Sequence, residues 1–245
     1  DASVNSSPLA PSAIKSTAGT PVAMSPEDIE EARKRMVFVA ETAKTAGFTG
    51  CQVHAAHGYL LSSFLNPLAN VRTDAYGGSL ENRARLLLEV IADIRAAVGP
   101  DWPVSVKLNS SDFQKGGFST KECAVLAGWL DAAGLDLLEI SGGNYEAPAI
   151  LRGPGWKEST AVREAYFLEF AADIKAAMPK TPLMVTGGFR SRDVMNAALQ
   201  GGHCDVIGIG RPLCGGDLDC VNKLFRGDID ALPAYENSLD FSAPS

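Results

Sequence analysis

Two of the three histidines in the chain, His54 and His57, lie three residues apart in "QVHAAHGYLL" (52–61), with Tyr59 two residues further on. Two imidazoles and a phenol in so short a span could bind a metal, move protons, hold an anion or simply pack. A zinc site needs further ligands that the chain does not offer nearby, and the spacing is not the helical HExxH arrangement. Two neighbouring donors could instead polarise a carbonyl oxygen or hold a phenolate, and Tyr59 could hand over a proton. A lone histidine would most often be structural.

Two further segments suit anion binding. "VTGGFRSRD" places Gly187 and Gly188 between an apolar run and a helix start, and "IGIGRPL" places Gly210 and Arg211 after another apolar run. Glycines let backbone N–H groups approach a phosphate, a helix N-terminus adds partial positive charge, and Arg211 could clamp the anion bidentately. The competing reading is that these glycines only make tight turns. Lys107 sits mid-strand in "VSVKLNS", where an unpaired ammonium would be costly. It should therefore either pair with a carboxylate or face a ligand that develops negative charge. The segment "FLNPLANVRTDAYGGSLENRARLLLEV" carries Asn66, Asn70, Arg72, Asp74 and Tyr76, and reads as a hydrogen-bonded scaffold loop more than as chemistry.

The elements that must position these groups follow from periodicity. "SPEDIEEARKRMVFVAETAKTAG" is a helix with Ser25 as N-cap, Pro26 in its first turn and Gly47 closing it. A unit then repeats: a short strand expected to be apolar on both faces, a polar turn and an amphipathic helix. Strands are expected at 48–56, 104–110, 137–141, 183–188 and 205–211, and helices near 81–98, 119–133, 163–178 and 191–200. This alternation implies a parallel α/β sheet with right-handed crossovers. Polar and glycine-rich residues gather at the C-terminal strand ends, where a (β/α)8 TIM barrel keeps its chemistry. Only five of the eight strands are apparent.

Bulk properties limit the classes. The chain has 245 residues, 46% hydrophobic, and a formal net charge of −7. That length supports a sizeable core, and the acidic balance argues against nucleic acid as a partner. No run of 18 or more apolar residues suggests a membrane span, and the N-terminal residues do not resemble a signal peptide. Five scattered cysteines without a CxxC pair fit a reducing, cytoplasmic setting. Residues 1–25 read as an arm or loop, 26–225 as a partial barrel domain and 226–245 as a tail.

"HAAHGYLLSSFLNPLANVRTDAYGGSLENRARLLLEV" resembles the signature of the old yellow enzyme family of FMN-dependent NAD(P)H oxidoreductases and ene-reductases. "VKLNSSDF", "MVTGGF" and "DVIGIGRPL" match later family segments in the same order, from about residue 8 to 225. The resemblance implies FMN as cofactor, NAD(P)H as reductant and an α,β-unsaturated carbonyl compound as substrate. It implies that His54 and His57 bind the carbonyl oxygen and that Tyr59 protonates the α-carbon. Lys107 then falls where the family usually has an arginine beside the flavin, and Gly187, Gly188, Phe189, Gly210 and Arg211 fall on FMN-phosphate segments. It also implies that the chain holds barrel strands four to eight, so that a complementing N-terminal fragment or self-association would cover the open sheet. An alternative of another class is a flavin-free relative acting as a binding or assembly subunit, or with a repurposed non-redox activity. A metal-dependent barrel hydrolase is disfavoured for want of ligands.

Overall fold

The computed structural model describes residues 8–15, 19–112, 114–141, 171–215 and 217–233. The N-terminal stretch runs through β1 (Leu9–Ala10) and β2 (Val22–Ala23), a two-residue parallel pair. Helix α1 (Pro26–Thr45) begins with a reciprocal cap: the Ser25 hydroxyl accepts the Asp28 N–H while the Asp28 carboxylate accepts the Ser25 N–H. Then follow β3 (Cys51–Ala55), α2 (Leu60–Leu65), α3 (Leu80–Val98), β4 (Val104–Asn109), α4 (Thr120–Ala132) and β5 (Leu137–Ser141). Helical residues 171–177 (α5) lead to β6 (Leu183–Thr186), α6 (Arg192–Gln200), β7 (Val206–Gly208), a 3-10 turn at Arg211–Cys214 and α7 (Cys220–Arg226).

Strands β3 to β7 form one parallel sheet in sequential order. The expected elements are present with most ends shifted by one to a few residues, except that 163–170 of the fourth expected helix lies outside the described residues. The short helices α2 and α7 are additions. Gly58 and the exposed phenol of Tyr59 mask the start of α2, and the whole helix spans under two turns.

The strands differ from expectation in one respect: one face is apolar and the other carries most of their polar residues, with Leu137 and Met184 interspersed among them. Val53 and Ala55, Val104, Val106 and Leu108, Leu138 and Ile140, and Leu183 and Val185 are buried with Leu86, Leu87 and Ile91 of α3 and Leu126 and Leu130 of α4 in a single core. The paired row His54–Lys107–Glu139 and the flanking Gln52, Ser105, Asn109 and Ser141 alternate with these residues and occupy the other face. That face is the inner surface of a barrel of which five strands are in hand.

At the strand entries the same device occurs twice. Asp136, just before β5, donates its N–H to Val104 O and accepts the Val104 N–H at Oδ2 (2.7 Å), and its carboxylate pairs with Arg95 of α3. Asp205, just before β7, repeats this with Leu183 (2.7 Å) and Lys175 of α5. Each aspartate supplies an acceptor to the first N–H of the preceding strand, which would otherwise lack one.

Two arginines, one buried and one partly buried, hold the long loop and the N-terminal stretch. Arg83, 4% exposed, donates to Leu65 O, to Gly78 O and to Glu122 Oε1, tying the loop, α3 and α4 together. Arg72 donates to Pro11 O and Met24 O while its guanidinium also grips Asp74, so the segment assigned to an arm is docked on the loop. The scaffold reading of residues 66–76 thus has a direct physical basis. Residues 230–232 return onto the start of α6 through Arg192–Asp230 and the Leu232 N–H to Arg190 O.

Candidate functional site at the C-terminal strand ends

The end of β3 delivers His54 from the penultimate position of the strand and His57 from the bend after it. His57 has φ 65°, the sole non-glycine residue with positive φ among those described. The two imidazole centroids lie 5.3 Å apart and roughly edge-to-face, and the Tyr59 ring lies 5.1 Å from His54. Tyr59 caps the start of α2 in extended conformation, which projects its half-exposed ring beside the histidines. The sequence-predicted trio is therefore brought together.

His57 is held from two neighbouring strands. Its backbone N–H donates to Asn109 Oδ1 at the end of β4 (3.1 Å), and its Nε2 lies 2.9 Å from Ser141 Oγ at the end of β5. Asn109 in turn donates from Nδ2 to Asp112 Oδ1 (2.8 Å), and Asp112 accepts the Phe118 N–H. Burial raises the Asp112 carboxyl above its ordinary range, with the hydrogen bonds from Asn109 and Phe118 opposing it. None of these three supports was assigned a role in the sequence. Their signal was available only as polar residues at strand ends.

One strand step deeper, Lys107 Nζ lies 2.6 Å from Glu139 Oε1, and Gln52 Nε2 donates to Glu139 Oε2 at 2.9 Å. Of the two readings open for Lys107, pairing with a carboxylate is the one seen. It does not remove the ammonium from the open face, since the Lys107 side chain stays one-fifth exposed against 7% for Glu139. Burial would raise the Glu139 carboxyl, but its polar neighbours, the Lys107 ammonium foremost, outweigh it and hold the group below its ordinary range. Burial first, and then the Lys107 ammonium, lowers the basicity of both histidines. For His57 the neighbouring His54 adds to this, and Glu139 opposes it in both.

The glycine loops lie beyond β6 and β7. Gly187 and Gly188 have φ 118° and 81°, so both need the left-handed freedom of glycine, and a Cβ on Gly210 would meet open space. Gly208 is required for a different reason, because a Cβ there would collide with Thr186 Oγ1 on the next strand. Arg211 opens the exposed 3-10 turn, while the Phe189 side chain is buried in the core at 2% exposure, leaving only its backbone for a ligand. This open, glycine-lined backbone next to an arginine fits a phosphate-bearing cofactor. Among the described residues, no group of three or more His, Cys, Asp or Glu is placed to hold a metal ion, and no helix is long and apolar enough to cross a membrane.

Residues 1–225 match the family described as NADH:flavin oxidoreductase / NADH oxidase. The NADH-dependent flavin oxidoreductase iliE of Neonectria sp. (strain DH2) is 40% identical over 79% of this chain and 26% of that protein. An NADPH dehydrogenase of Bacillus subtilis (strain 168) is 37% identical over 84% of this chain and 57% of that protein. The chain thus spans between about a quarter and three-fifths of the length of such relatives. In structure, a 2-naphthoyl-CoA reductase complex aligns over 92% of this chain and 34% of its own with TM-score 0.80 and 33% identity. Morphinone reductase aligns over 93% of this chain and 62% of its own with TM-score 0.69 and 27% identity. Both comparisons are to old-yellow-enzyme-type TIM barrels, of which this chain covers a part.

Proposed function

The chain belongs to the NADH:flavin oxidoreductase / NADH oxidase family, and from that membership we propose that it builds the histidine and phosphate side of an FMN site that reduces activated alkenes with NAD(P)H. When bound, FMN supplies the hydride chemistry, and the protein supplies orientation and charge. The observation that carries the reading is the convergence of His57 and Tyr59 on His54 at one end of the sheet, with ring centroids 5.3 and 5.1 Å from it.

In this reading His54 and His57 donate to the carbonyl oxygen of an α,β-unsaturated compound. Their lowered basicity keeps them as neutral donors at neutral pH, so they stabilise developing negative charge without becoming protonated. Tyr59 delivers the proton to the α-carbon. Lys107 would supply positive charge to the bound flavin, and Gly187, Gly188, the Phe189 backbone, Gly210 and Arg211 would hold its phosphate. The names morphinone reductase and 2-naphthoyl-CoA reductase both describe proteins acting on conjugated carbonyl compounds. Residues 26–225 form the barrel portion, residues 1–25 an arm and 226–245 a tail, in a cytoplasmic protein.

The test is the visible absorbance of the purified chain with added FMN, together with its intact mass. Flavin bands that bleach anaerobically with NAD(P)H support the reading. Protein that stays colourless sinks it and favours a second reading, a flavin-free relative with a binding or assembly role. That second reading draws on the Lys107–Glu139 pair, which already answers the lysine's charge, and on the outer edges of β3 and β7, which would accept a complementing fragment or another copy.

A further inference from the structure

A residue held in the left-handed region without being glycine costs free energy and persists where its surroundings fix it. At His57 the fixing groups are identifiable. The backbone N–H can only donate, so the buried Asn109 must present Oδ1 to it, which turns Nδ2 toward Asp112, as observed. The amide orientation is thereby determined, and the bend after β3 has little freedom to relax.

The ring is fixed separately. Ser141 Oγ, in a residue only 6% exposed, sits 2.9 Å from Nε2. That contact uses up Nε2 and leaves Nδ1 as the nitrogen available to a ligand. A serine hydroxyl can donate or accept, and its choice sets the character of the opposite nitrogen. If Ser141 accepted, Nδ1 would carry a lone pair and repel a carbonyl oxygen or an anion. If Ser141 donates, Nδ1 carries the proton.

We propose that Ser141 is a positioning residue that sets the tautomer of neutral His57: its hydroxyl donates to Nε2, so that Nδ1–H is the donor offered to the oxygen of a bound ligand. The choice between the two directions rests on the reading above, that the histidines act as donors. The contact and the backbone clamp do not. Free histidine favours the Nε2–H form, so a protein that needs Nδ1–H must impose it, and Ser141 is the group in place to do so. The charged and titratable neighbours are His54 and Lys107, which disfavour the imidazolium, and Glu139, which favours it. Above its ordinary value of 6.5 the ring is thus neutral, with one proton to place.

The experiment is two-bond proton–nitrogen correlation NMR on the full chain labelled with nitrogen-15 histidine, without ligand and above that pH. His54→Gln and His203→Gln assign the three rings. The expected result is Nδ1–H at His57, switching to Nε2–H in Ser141→Ala while His54 and His203 keep their patterns. Nε2–H at His57 in the unaltered chain overturns the proposal, even should the Ser141→Ala protein fail to fold. So does an unchanged Nδ1–H in Ser141→Ala. Since no flavin is involved, either failure is separate from the flavin-absorbance test.

Discussion

Lys107 Nζ and Glu139 Oε1 lie 2.6 Å apart on adjacent strands at the same register, in the row that begins with His54. Gln52 occupies the second carboxylate oxygen, so Glu139 is satisfied on both sides while the lysine keeps partial access to the open face. The two partners are therefore not equivalent. Lys107→Met leaves a buried carboxylate without its counter-ion and should destabilise the fold by about 1–3 kcal/mol. Glu139→Gln leaves a lysine that can hydrate and should destabilise it less. Urea denaturation midpoints compare them, and equal or reversed losses would contradict the asymmetry.

Both histidines should titrate below 6.5. Removing the Lys107 charge should raise both values, and Glu139→Gln should lower both, since the two charges act in opposite directions. NMR titration of the ring protons reads the order. A Lys107→Met protein whose histidines titrate lower than in the unaltered chain would refute the assignment of the charges.

The same depressions give a pH profile of stability. A group whose folded value lies below its unfolded one stabilises the fold fully above the unfolded value and stops doing so as pH falls through the folded value. For the histidines that loss begins below 6.5, and for Glu139 below 4.5. Thermal melting should therefore decline in two stages on acidification. Replacing both histidines with glutamine should abolish the first stage and leave the second.

Arg83 is the buried cation that joins the long loop to α3 and α4. Arg83→Met strands Glu122 and two carbonyls, with an expected loss of about 3–5 kcal/mol. Arg83→Lys should recover only part, because a single ammonium cannot replace the planar fork. Circular dichroism melts decide the order of the three proteins.

Under the flavin reading, Arg211→Gln should weaken FMN binding roughly tenfold or more, as expected for loss of a charge-assisted hydrogen bond to phosphate. Flavin fluorescence quenching measures the affinity. An unchanged Kd would remove Arg211 from the phosphate site.

The strands, the principal helices and the histidine–tyrosine cluster were legible in the sequence, because each depends on spacing along one segment. The partners of those residues were not. Glu139 in "LLEIS" looks like an interruption of an apolar run, and only the register that sets it beside Lys107 reveals a pair. Asn109 and Ser141 stand at the ends of their own strands, but which bend they hold depends on strands that meet only in three dimensions. One recurring signal was overlooked: an aspartate immediately before β5 in "GLDLLEI" and before β7 in "CDVIGI".

Those two aspartates fasten the sheet at the strand entries, at the end opposite the histidines. A saturation scan of the chain should accordingly fall into two nearly independent phenotypes. Changes at Asp136, Asp205, Arg95 and Lys175 would shift melting and spare ligand affinity, whereas changes at the half-exposed Tyr59 after β3 would do the reverse. Such a division makes the chain evolvable: new specificities can be sampled on one rim while the opposite rim keeps the scaffold intact.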